Sequence, residues 1–370
     1  MDPKRFRLLF GLVLVLRLAA ASGPWVTYDV ISYSIVAQAV AAGQNVYAAT
    51  NRYNYSPLWS ELVATVWRIA GGHMPLFVLL LGVLLTAADA VTAMVLRVLD
   101  RERGASEPEA RQSALLFFAN PVSVLVSCYQ RQFDGFSILF LLLAIRAVSS
   151  GRPRGRWAAA GALSLSLLFK HVTALHPLLF WRRRGSGGLS LPFVIAPYAV
   201  FGLSFLPFVA ASGAILDNVL LYGTGLSKLQ AQRPGGPQWL LFFPHGSGVI
   251  FFAILLAGVG AAIVFGARVP LARAALLLFL AELAFAPGFA SQYNVWPMAL
   301  GSLFPSAGYV LLTTVGAGFI VGEAQLASLP FAITPVAVWL AAFFWFVQEM
   351  RLIFAAPSDA GLQTSMTASA

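Results

Sequence analysis

Apolar residues fill this chain in long blocks, which are separated by short polar stretches that often carry arginine. A transmembrane helix needs about 20 consecutive apolar residues, so blocks of this length predict membrane spans. Full spans are predicted over segments 7–23, 75–98, 113–129, 135–148, 190–210, 246–267 and 271–287. One short and two longer apolar runs follow within 295–350. Together they predict an all-α, polytopic membrane protein of about ten transmembrane helices plus re-entrant segments.

Segment 157–181 departs from this pattern because arginines flank it on both sides, at 151–156 and 182–184. Lys and Arg are enriched in cytoplasmic loops, so both flanks are predicted to lie inside. About 25 residues suffice for one crossing but not for two. Lys170 and His171 interrupt the segment near its middle. We therefore predict a re-entrant hairpin of two half-length helices, which is tolerated where broken backbone lines a protein cavity. No matching broken segment is evident in the other half of the chain, although repeat-built transporters would show one.

The same arginine bias orients the rest of the chain. It places the N-terminus, the loop 100–112 and the C-terminal tail in the cytoplasm, and segments 25–74 and 211–245 outside. The first apolar run contains Arg17, which favours a retained signal-anchor over a cleaved signal peptide. We expect one membrane domain, residues 1–355, followed by a disordered cytoplasmic tail, residues 356–370.

The first outer segment has amphipathic patterns of its own. From Ile31 to Val40 apolar residues recur with helical spacing, and Gly43 ends this stretch. A second short helix is predicted to follow SPLW, with Trp59 and Trp67 at the headgroup level. Two such interfacial helices would cover a membrane cavity, and an ordinary extracellular loop is the alternative.

Composition agrees with a membrane protein, since 59% of residues are hydrophobic and 10% are charged. The net charge of +10 resides largely in arginines at the ends of apolar runs, where it sets topology instead of forming a nucleic-acid surface. The single cysteine, Cys128, excludes an intrachain disulfide. No His, Cys and carboxylate cluster has metal-ligand spacing, so no metal site is predicted.

The first outer segment also resembles the first luminal loop of the GT-C glycosyltransferases, integral membrane enzymes that use polyprenyl-phosphate sugars. It is especially similar to the catalytic subunit of GPI mannosyltransferase I and to bacterial polyprenol-phosphate-mannose-dependent mannosyltransferases. The matching positions are Asp29, Gly43, Tyr47, Tyr53, Tyr55, Pro57 and Leu58. The GPI enzyme has an Asp-x-Asp motif in this loop. The corresponding residues here are Thr27, Tyr28 and Asp29, so only the second acid of the motif is present.

Three later segments resemble the same superfamily in the same order. The first, ANPVSVLVSCYQRQFDG, resembles an N-P segment followed by H-G-Q-F-D. The second, LLFKHVTALHPLLFW, resembles a segment that dips into the membrane and carries a lysine and a proline. The third, FAPGFASQYNVWP, resembles a late Q-Y-x-x-W-P segment. The matching positions are Gln132, Phe133, Asp134, Lys170, Pro177, Gln292, Tyr293, Trp296 and Pro297.

The resemblance implies transfer of a sugar, mannose by the nearest similarity, from a polyprenyl-phosphate donor to an acceptor hydroxyl on the extracytoplasmic face, with inversion. No cofactor is implied, and with only one acid of the Asp-x-Asp pair present, the resemblance supplies no two-carboxylate site for a divalent metal. The reaction needs a carboxylate that accepts the acceptor's proton and a cradle for the leaving phosphate. Asp29 is the predicted general base. Its alternative role is to cap the interfacial helix.

The remaining candidates are polar residues expected around the donor or the acceptor. For the donor phosphate and sugar they are Lys170, His171, His176, Arg131, Gln132, Asp134, Lys228, Arg233, Gln292 and Tyr293, and on the acceptor side Tyr53 and Tyr55. Lys170 could instead pair with a buried acid such as Asp89 or Glu282, and Arg131 could pair with Asp134.

Two other classes of function remain open from the sequence. One is a polyprenol-linked sugar flippase or other secondary transporter, and the other is a non-catalytic scaffold of a glycosylation complex. The Ala- and Arg-rich, Lys-poor composition suggests a GC-rich bacterial genome, so we expect a bacterial plasma membrane and a cell-envelope glycolipid or glycan as acceptor.

Overall fold

The structure is a computed structural model of the 370-residue chain. It describes residues 1–151, 153–181, 188–221, 248–285, 290–325 and 333–355. These parts of the chain are helical and contain no strand; one isolated β-bridge joins Trp181 to Leu189. The predicted all-α fold is therefore confirmed for the described residues.

The α-helices are α1 (Pro3–Ala21), α2 (Tyr28–Ala41), α3 (Val46–Ala49), α4 (Pro57–Ile69), α5 (Met74–Glu102), α6 (Glu107–Phe118), α7 (Pro121–Val124), α8 (Asp134–Ser149), α9 (Pro153–Phe169), α10 (Leu191–Leu203), α11 (Ser212–Ile215), α12 (Gly248–Gly266), α13 (Leu271–Phe285), α14 (Trp296–Gly301), α15 (Ala307–Gln325) and α16 (Ile333–Ala355). Short 3₁₀ or π-helical turns cover Leu125–Gln130, His171–Thr173, His176–Phe180, Leu206–Ala211, Leu216–Leu220 and Ser291–Val295.

Two described helices are long and apolar enough to cross a membrane by themselves. They are α5, with 29 residues, and the part of α16 from Pro335 to Ala355, with 21 residues. Two bent pairs would raise the number to four: α6 with Pro121–Gln130, bent by 46°, and α10 with Leu206–Leu220, bent by 56°. Apolar helices of membrane length thus support membrane association.

The segment predicted to be a re-entrant hairpin is broken where the sequence indicated. α9 ends at Phe169, and Lys170 has an extended backbone with φ −154° and ψ 124°. The second arm is not a half-length helix, however, since it consists of two 3₁₀ turns. Pro177 lies in the second turn and lacks the N–H group that an α-helical ladder would use. The first arm, α9, is 17 residues long, or about 25 Å at 1.5 Å per residue, so it is not half-length either.

Segment 25–74, predicted to lie outside, forms the two predicted helices, α2 and α4, and their aromatic residues pack on Phe133 at the start of α8. Gly43 follows α2 with φ 71°, a left-handed conformation that suits glycine. Trp59 of α4 is fully buried, and its ring stacks on Phe133 with centroids 3.8 Å apart. The headgroup position predicted for Trp59 is therefore wrong, because α4 turns this face inward against the turn before α8.

A buried ion pair holds α1 against α5. The Nη1 atom of Arg17 lies 2.7 Å from Oδ2 of Asp89, and both side chains are buried. Arg17 also donates to the Phe118 carbonyl and the Ser123 hydroxyl, each at 2.7 Å. Because isolated charges are costly in an apolar interior, this pairing accounts for Arg17 in the first apolar run.

Candidate functional site

Asp29 lies in the first turn of α2, one residue beyond its start. The N-cap of α2 is Thr27, whose hydroxyl accepts a hydrogen bond from the Val30 amide at 3.4 Å. The capping role considered for Asp29 is therefore wrong. Its carboxylate accepts a hydrogen bond from the Nε2 amide of Gln132 at 2.5 Å, and the side chain is half-buried.

Tyr33 holds Gln132 from the other side. Its hydroxyl donates to Oε1 of Gln132 at 3.1 Å, which leaves the Nε2 amide directed at Asp29. Burial raises the pKa of Tyr33 well above its ordinary value, and the charges of Asp29 and Asp134 add to the effect. The hydroxyl therefore keeps its proton and remains a donor. Two hydrogen bonds therefore connect Tyr33, Gln132 and Asp29, and the Tyr33 hydroxyl fixes the orientation of the Gln132 amide that binds Asp29.

Arg131 fixes the turn that carries Gln132. Its backbone is left-handed, with φ 57° and ψ 40°. The side chain is buried and donates to five backbone carbonyls at 2.8 to 3.1 Å; they belong to Ala21, Gly23, Trp25, Val78 and Tyr129. It thereby ties the end of α1 and the start of α5 to the turn. The predicted pairing of Arg131 with Asp134 is wrong, because the carbonyls take its donors.

Asp134 pairs with Lys170 instead. Nζ of Lys170 lies 2.6 Å from Oδ2 of Asp134, and Trp296 donates its indole N–H to Oδ1 at 2.6 Å. All three side chains are buried. The expected alternative partners of Lys170, Asp89 and Glu282, are not used. This contact joins the start of α8, the break after α9 and the start of α14.

The aromatic side chains around this pair come from three predicted segments. Nζ of Lys170 lies 5.3 Å from the ring centroid of Tyr55 and 5.1 Å from that of Phe133. Tyr293 stacks on Trp296, with ring centroids 4.2 Å apart. Residues of the four resembling segments thus meet around Lys170 and Asp134, and Gln132, two residues before Asp134, contacts Asp29.

Tyr53 adjoins this centre through Tyr55, with ring centroids 5.8 Å apart. Tyr53 is buried within its own loop, where its hydroxyl donates to the Ser56 carbonyl and accepts from the Ser60 amide. Gln292 is half-buried in the 3₁₀ turn before α14.

The two predicted histidines lie along the second arm of the hairpin. Nε2 of His176 lies 3.3 Å from the Ala275 carbonyl oxygen, and its ring lies 4.2 Å from that of Phe279. The His171 ring lies beside that of Phe201, with ring centroids 6.2 Å apart. Neither contacts the carboxylates of the site, and Lys228 and Arg233 lie outside the described residues.

Two residues that the sequence did not single out, Gln130 and Ser291, join the start of α2 to the 3₁₀ turn before α14. Gln130 donates from Nε2 to the Ser291 hydroxyl at 2.7 Å, and its backbone carbonyl accepts from Thr27 at 3.3 Å.

Among the described residues, no group of three or more His, Cys, Asp or Glu side chains could hold a metal ion. No protein-family model matches the chain, and the search of curated proteins gave no match either. The resemblance to glycosyltransferases therefore rests on the sequence motifs alone.

Proposed function

We propose that this protein is an integral membrane glycosyltransferase with a GT-C-like arrangement of about ten spans. It would move a sugar, mannose by the nearest resemblance, from a polyprenyl-phosphate donor to an acceptor hydroxyl, with inversion. The observation that carries this proposal is the orientation of Asp29. It is a half-buried carboxylate, aligned by Gln132, at the point where all four motif segments converge.

The chemistry assigned to Asp29 is general base catalysis. The acceptor oxygen forms a bond to the anomeric carbon as Asp29 takes the hydroxyl proton. The bond from that carbon to the phosphate oxygen breaks, and polyprenyl phosphate leaves with the electron pair. A phosphate leaves without protonation, so one carboxylate suffices. Asp134 does not suit the role, because it is buried and bound to both Lys170 and Trp296.

The cation for the leaving phosphate is better assigned to Arg52 than to Lys170. The guanidinium carbon of Arg52 lies 4.6 Å from the ring centroid of Tyr28, the residue before Asp29. Among the described residues, no carboxylate forms an ion pair with Arg52, whereas the charge of Lys170 is neutralised by Asp134. Lys228 and Arg233 remain proposed phosphate contacts. In this arrangement the site faces the extracytoplasmic side of a bacterial plasma membrane.

The decisive variant is Asp29→Asn, which keeps the size of the side chain and removes the base. Transfer from radiolabelled polyprenyl-phosphate mannose to membrane acceptors should fall by roughly two to four decades while donor binding persists. Glu61→Gln is the matched control, since Glu61 is an exposed acid of α4 in the same outer segment. Turnover of Asp29→Asn within a few-fold of wild type would remove Asp29 from the mechanism.

A transporter is the second candidate, and one observation favours it. The sequence indicated a single broken segment, but the described residues include two bent helix pairs, which end at Gln130 and at Leu220. Broken helices in both halves are a feature of repeat-built transporters. Movement of a fluorescent polyprenyl-phosphate sugar across proteoliposomes, with no transfer to any acceptor and no effect of Asp29→Asn, would favour the transporter over the enzyme.

A further inference from the structure

We propose that Arg97, Arg101 and Arg111 bind the headgroup of an anionic phospholipid whose acyl chain lies along the exposed apolar face of α5. This inference goes beyond the proposed function and does not depend on it. From Val78, whose carbonyl Arg131 contacts beside the candidate site, to Arg97 the axis of α5 rises about 28 Å at 1.5 Å per residue. The arginines therefore lie about one hydrocarbon thickness from that site.

The three arginines share a single carboxylate. Each of them forms an ion pair with Glu107, the first residue of α6. The Nε atoms of Arg97, Arg101 and Arg111 lie 2.7, 3.4 and 3.1 Å from its carboxylate oxygens. Glu107 balances one of the three guanidinium charges, so two positive charges remain in excess within this cluster.

The neighbouring acids do not balance this excess. Asp100 pairs with Arg103 at 3.3 Å, and Glu102 pairs with Arg146 at 2.9 Å. Glu109 accepts a hydrogen bond from the hydroxyl of the α6 N-cap at 2.6 Å. Among the described residues, only Glu107 forms an ion pair with any of the three arginines. Opposite charge near these side chains must therefore come from outside the described protein.

The three side chains also retain N–H donors for a ligand. An arginine side chain has five such donors. Arg97 gives Nε and Nη2 to Glu107, and Arg101 and Arg111 each give Nη1 to a backbone carbonyl. Within the described part of the chain, Nη1 of Arg97 and Nη2 of Arg101 and Arg111 have no hydrogen-bond partner. Phosphate oxygens accept from guanidinium groups in this way, often with two parallel hydrogen bonds.

An apolar stripe on α5 leads to the cluster. Val91, Val98 and Arg101 are all exposed, and their spacing of seven and three residues places them on one face of the helix. α5 is long and apolar enough to cross a membrane, so this face meets lipid chains. From Val91 to Arg101 the helix rises about 15 Å, half of a hydrocarbon core of about 30 Å. An acyl chain of one leaflet that packs on the two valines thus places its headgroup at Arg101.

This combination of features favours an anionic lipid over other anions. A water-soluble acidic segment would use the arginines but not the apolar stripe. A zwitterionic headgroup carries its own ammonium group, which offsets its phosphate and removes the net attraction to the excess charge. Anionic lipids are concentrated in the cytoplasmic leaflet, and the arginine-rich loop 100–112 is predicted to lie on that side.

Lipid binding by the purified full-length protein in neutral detergent tests the inference. The probes are phosphatidylglycerol, cardiolipin and phosphatidylethanolamine with matched acyl chains, titrated and measured by native mass spectrometry. We expect wild type to bind both anionic lipids roughly tenfold or more tightly than phosphatidylethanolamine. Arg101→Gln should weaken phosphatidylglycerol binding roughly fivefold, the effect of one cation near a membrane surface. Arg101→Lys, which keeps the charge, should lose less.

Arg146→Gln is the matched control. Arg146 is 47% exposed, as against 48% for Arg101, but its charge is balanced by Glu102 alone. It should bind phosphatidylglycerol as wild type does. Equal weakening by Arg101→Gln and Arg146→Gln would show a general attraction to positive charge and would overturn the site. Equal thermal unfolding of the two variants without added lipid shows that the comparison is made on folded protein.

Competition distinguishes the lipid from other anions. Neither inorganic phosphate nor a polyglutamate peptide should displace phosphatidylglycerol, because neither covers the apolar stripe. Displacement by phosphate would identify a simple phosphate site, and displacement by the peptide would identify a surface for an acidic protein; either result would overturn the inference. So would equal affinity of wild type for the three lipids, whatever the variants show.

The outcome for this cluster is separate from the outcome for the proposed enzyme. Selective binding of anionic lipid that depends on Arg101 would support the inference even in a protein that transfers no sugar. Sugar transfer by a protein that binds the three lipids alike would support the proposed function and contradict the lipid site.

Discussion

Lys170 holds its ammonium group 2.6 Å from the carboxylate of Asp134, and both side chains are buried. The lysine was a candidate for the donor phosphate because it lies inside an apolar segment. Its charge is instead neutralised within the protein, at the junction of three segments of the chain. The pair therefore shapes the site beside Asp29. The second carboxylate oxygen of Asp134 accepts a hydrogen bond from Trp296 and so holds the late motif segment in place.

Removing one member of this pair should be costly. Lys170→Met leaves Asp134 buried and uncompensated, so we expect a loss of about 3–5 kcal/mol in the free energy of unfolding. The double variant with Asp134→Leu should recover part of the loss. Thermal unfolding in detergent measures both, and Lys4→Met, at an exposed position, is the control. If Lys170→Met instead has near-native stability and loses affinity for the donor, Lys170 contacts the donor phosphate and the structural role is wrong.

Gly135 should not tolerate a methyl group. A Cβ atom there would lie 2.8 Å from Oδ1 of Asp89, whose other oxygen is bound to Arg17. Because that carboxylate cannot move without straining a buried ion pair, we expect Gly135→Ala to cost about 1–3 kcal/mol of stability.

Gly161 offers the matched control, since it also lies in a helix but has nothing within 4 Å of the added Cβ. Gly161→Ala should leave stability unchanged or raise it by about 0.5–1 kcal/mol. Melting temperatures of the two variants would contradict the packing argument if they shifted alike.

The orientation in the membrane is tested by labelling single cysteines in a background with Cys128 replaced. Ala48 and Ser106 are both exposed, one in the first outer segment and one in the arginine-rich loop. A membrane-impermeant thiol reagent added to intact cells should label a cysteine at Ala48 and not one at Ser106. Labelling at Ser106 alone would show the opposite orientation and would contradict a site on the extracytoplasmic side.

The sequence by itself determined the helical elements to a large extent. Segments 75–98 and 271–287 were predicted as spans, and α5 and α13 occupy them. The break at Lys170 was also predicted, because an ionisable residue in an apolar run is a local signal. Hydropathy and helix-ending residues such as Gly43 act over a few positions, so they can be read along the chain.

Only the tertiary structure decided which polar groups meet. The partner of Lys170 is Asp134 and not Asp89 or Glu282. Arg131 binds carbonyls and not Asp134, and Gln132 donates to Asp29. These choices depend on how helices are rotated and packed against one another, and no periodicity in a single segment records the rotation of its neighbour. A buried polar group must find its partner in three dimensions, because leaving it unpaired costs more than any local preference supplies.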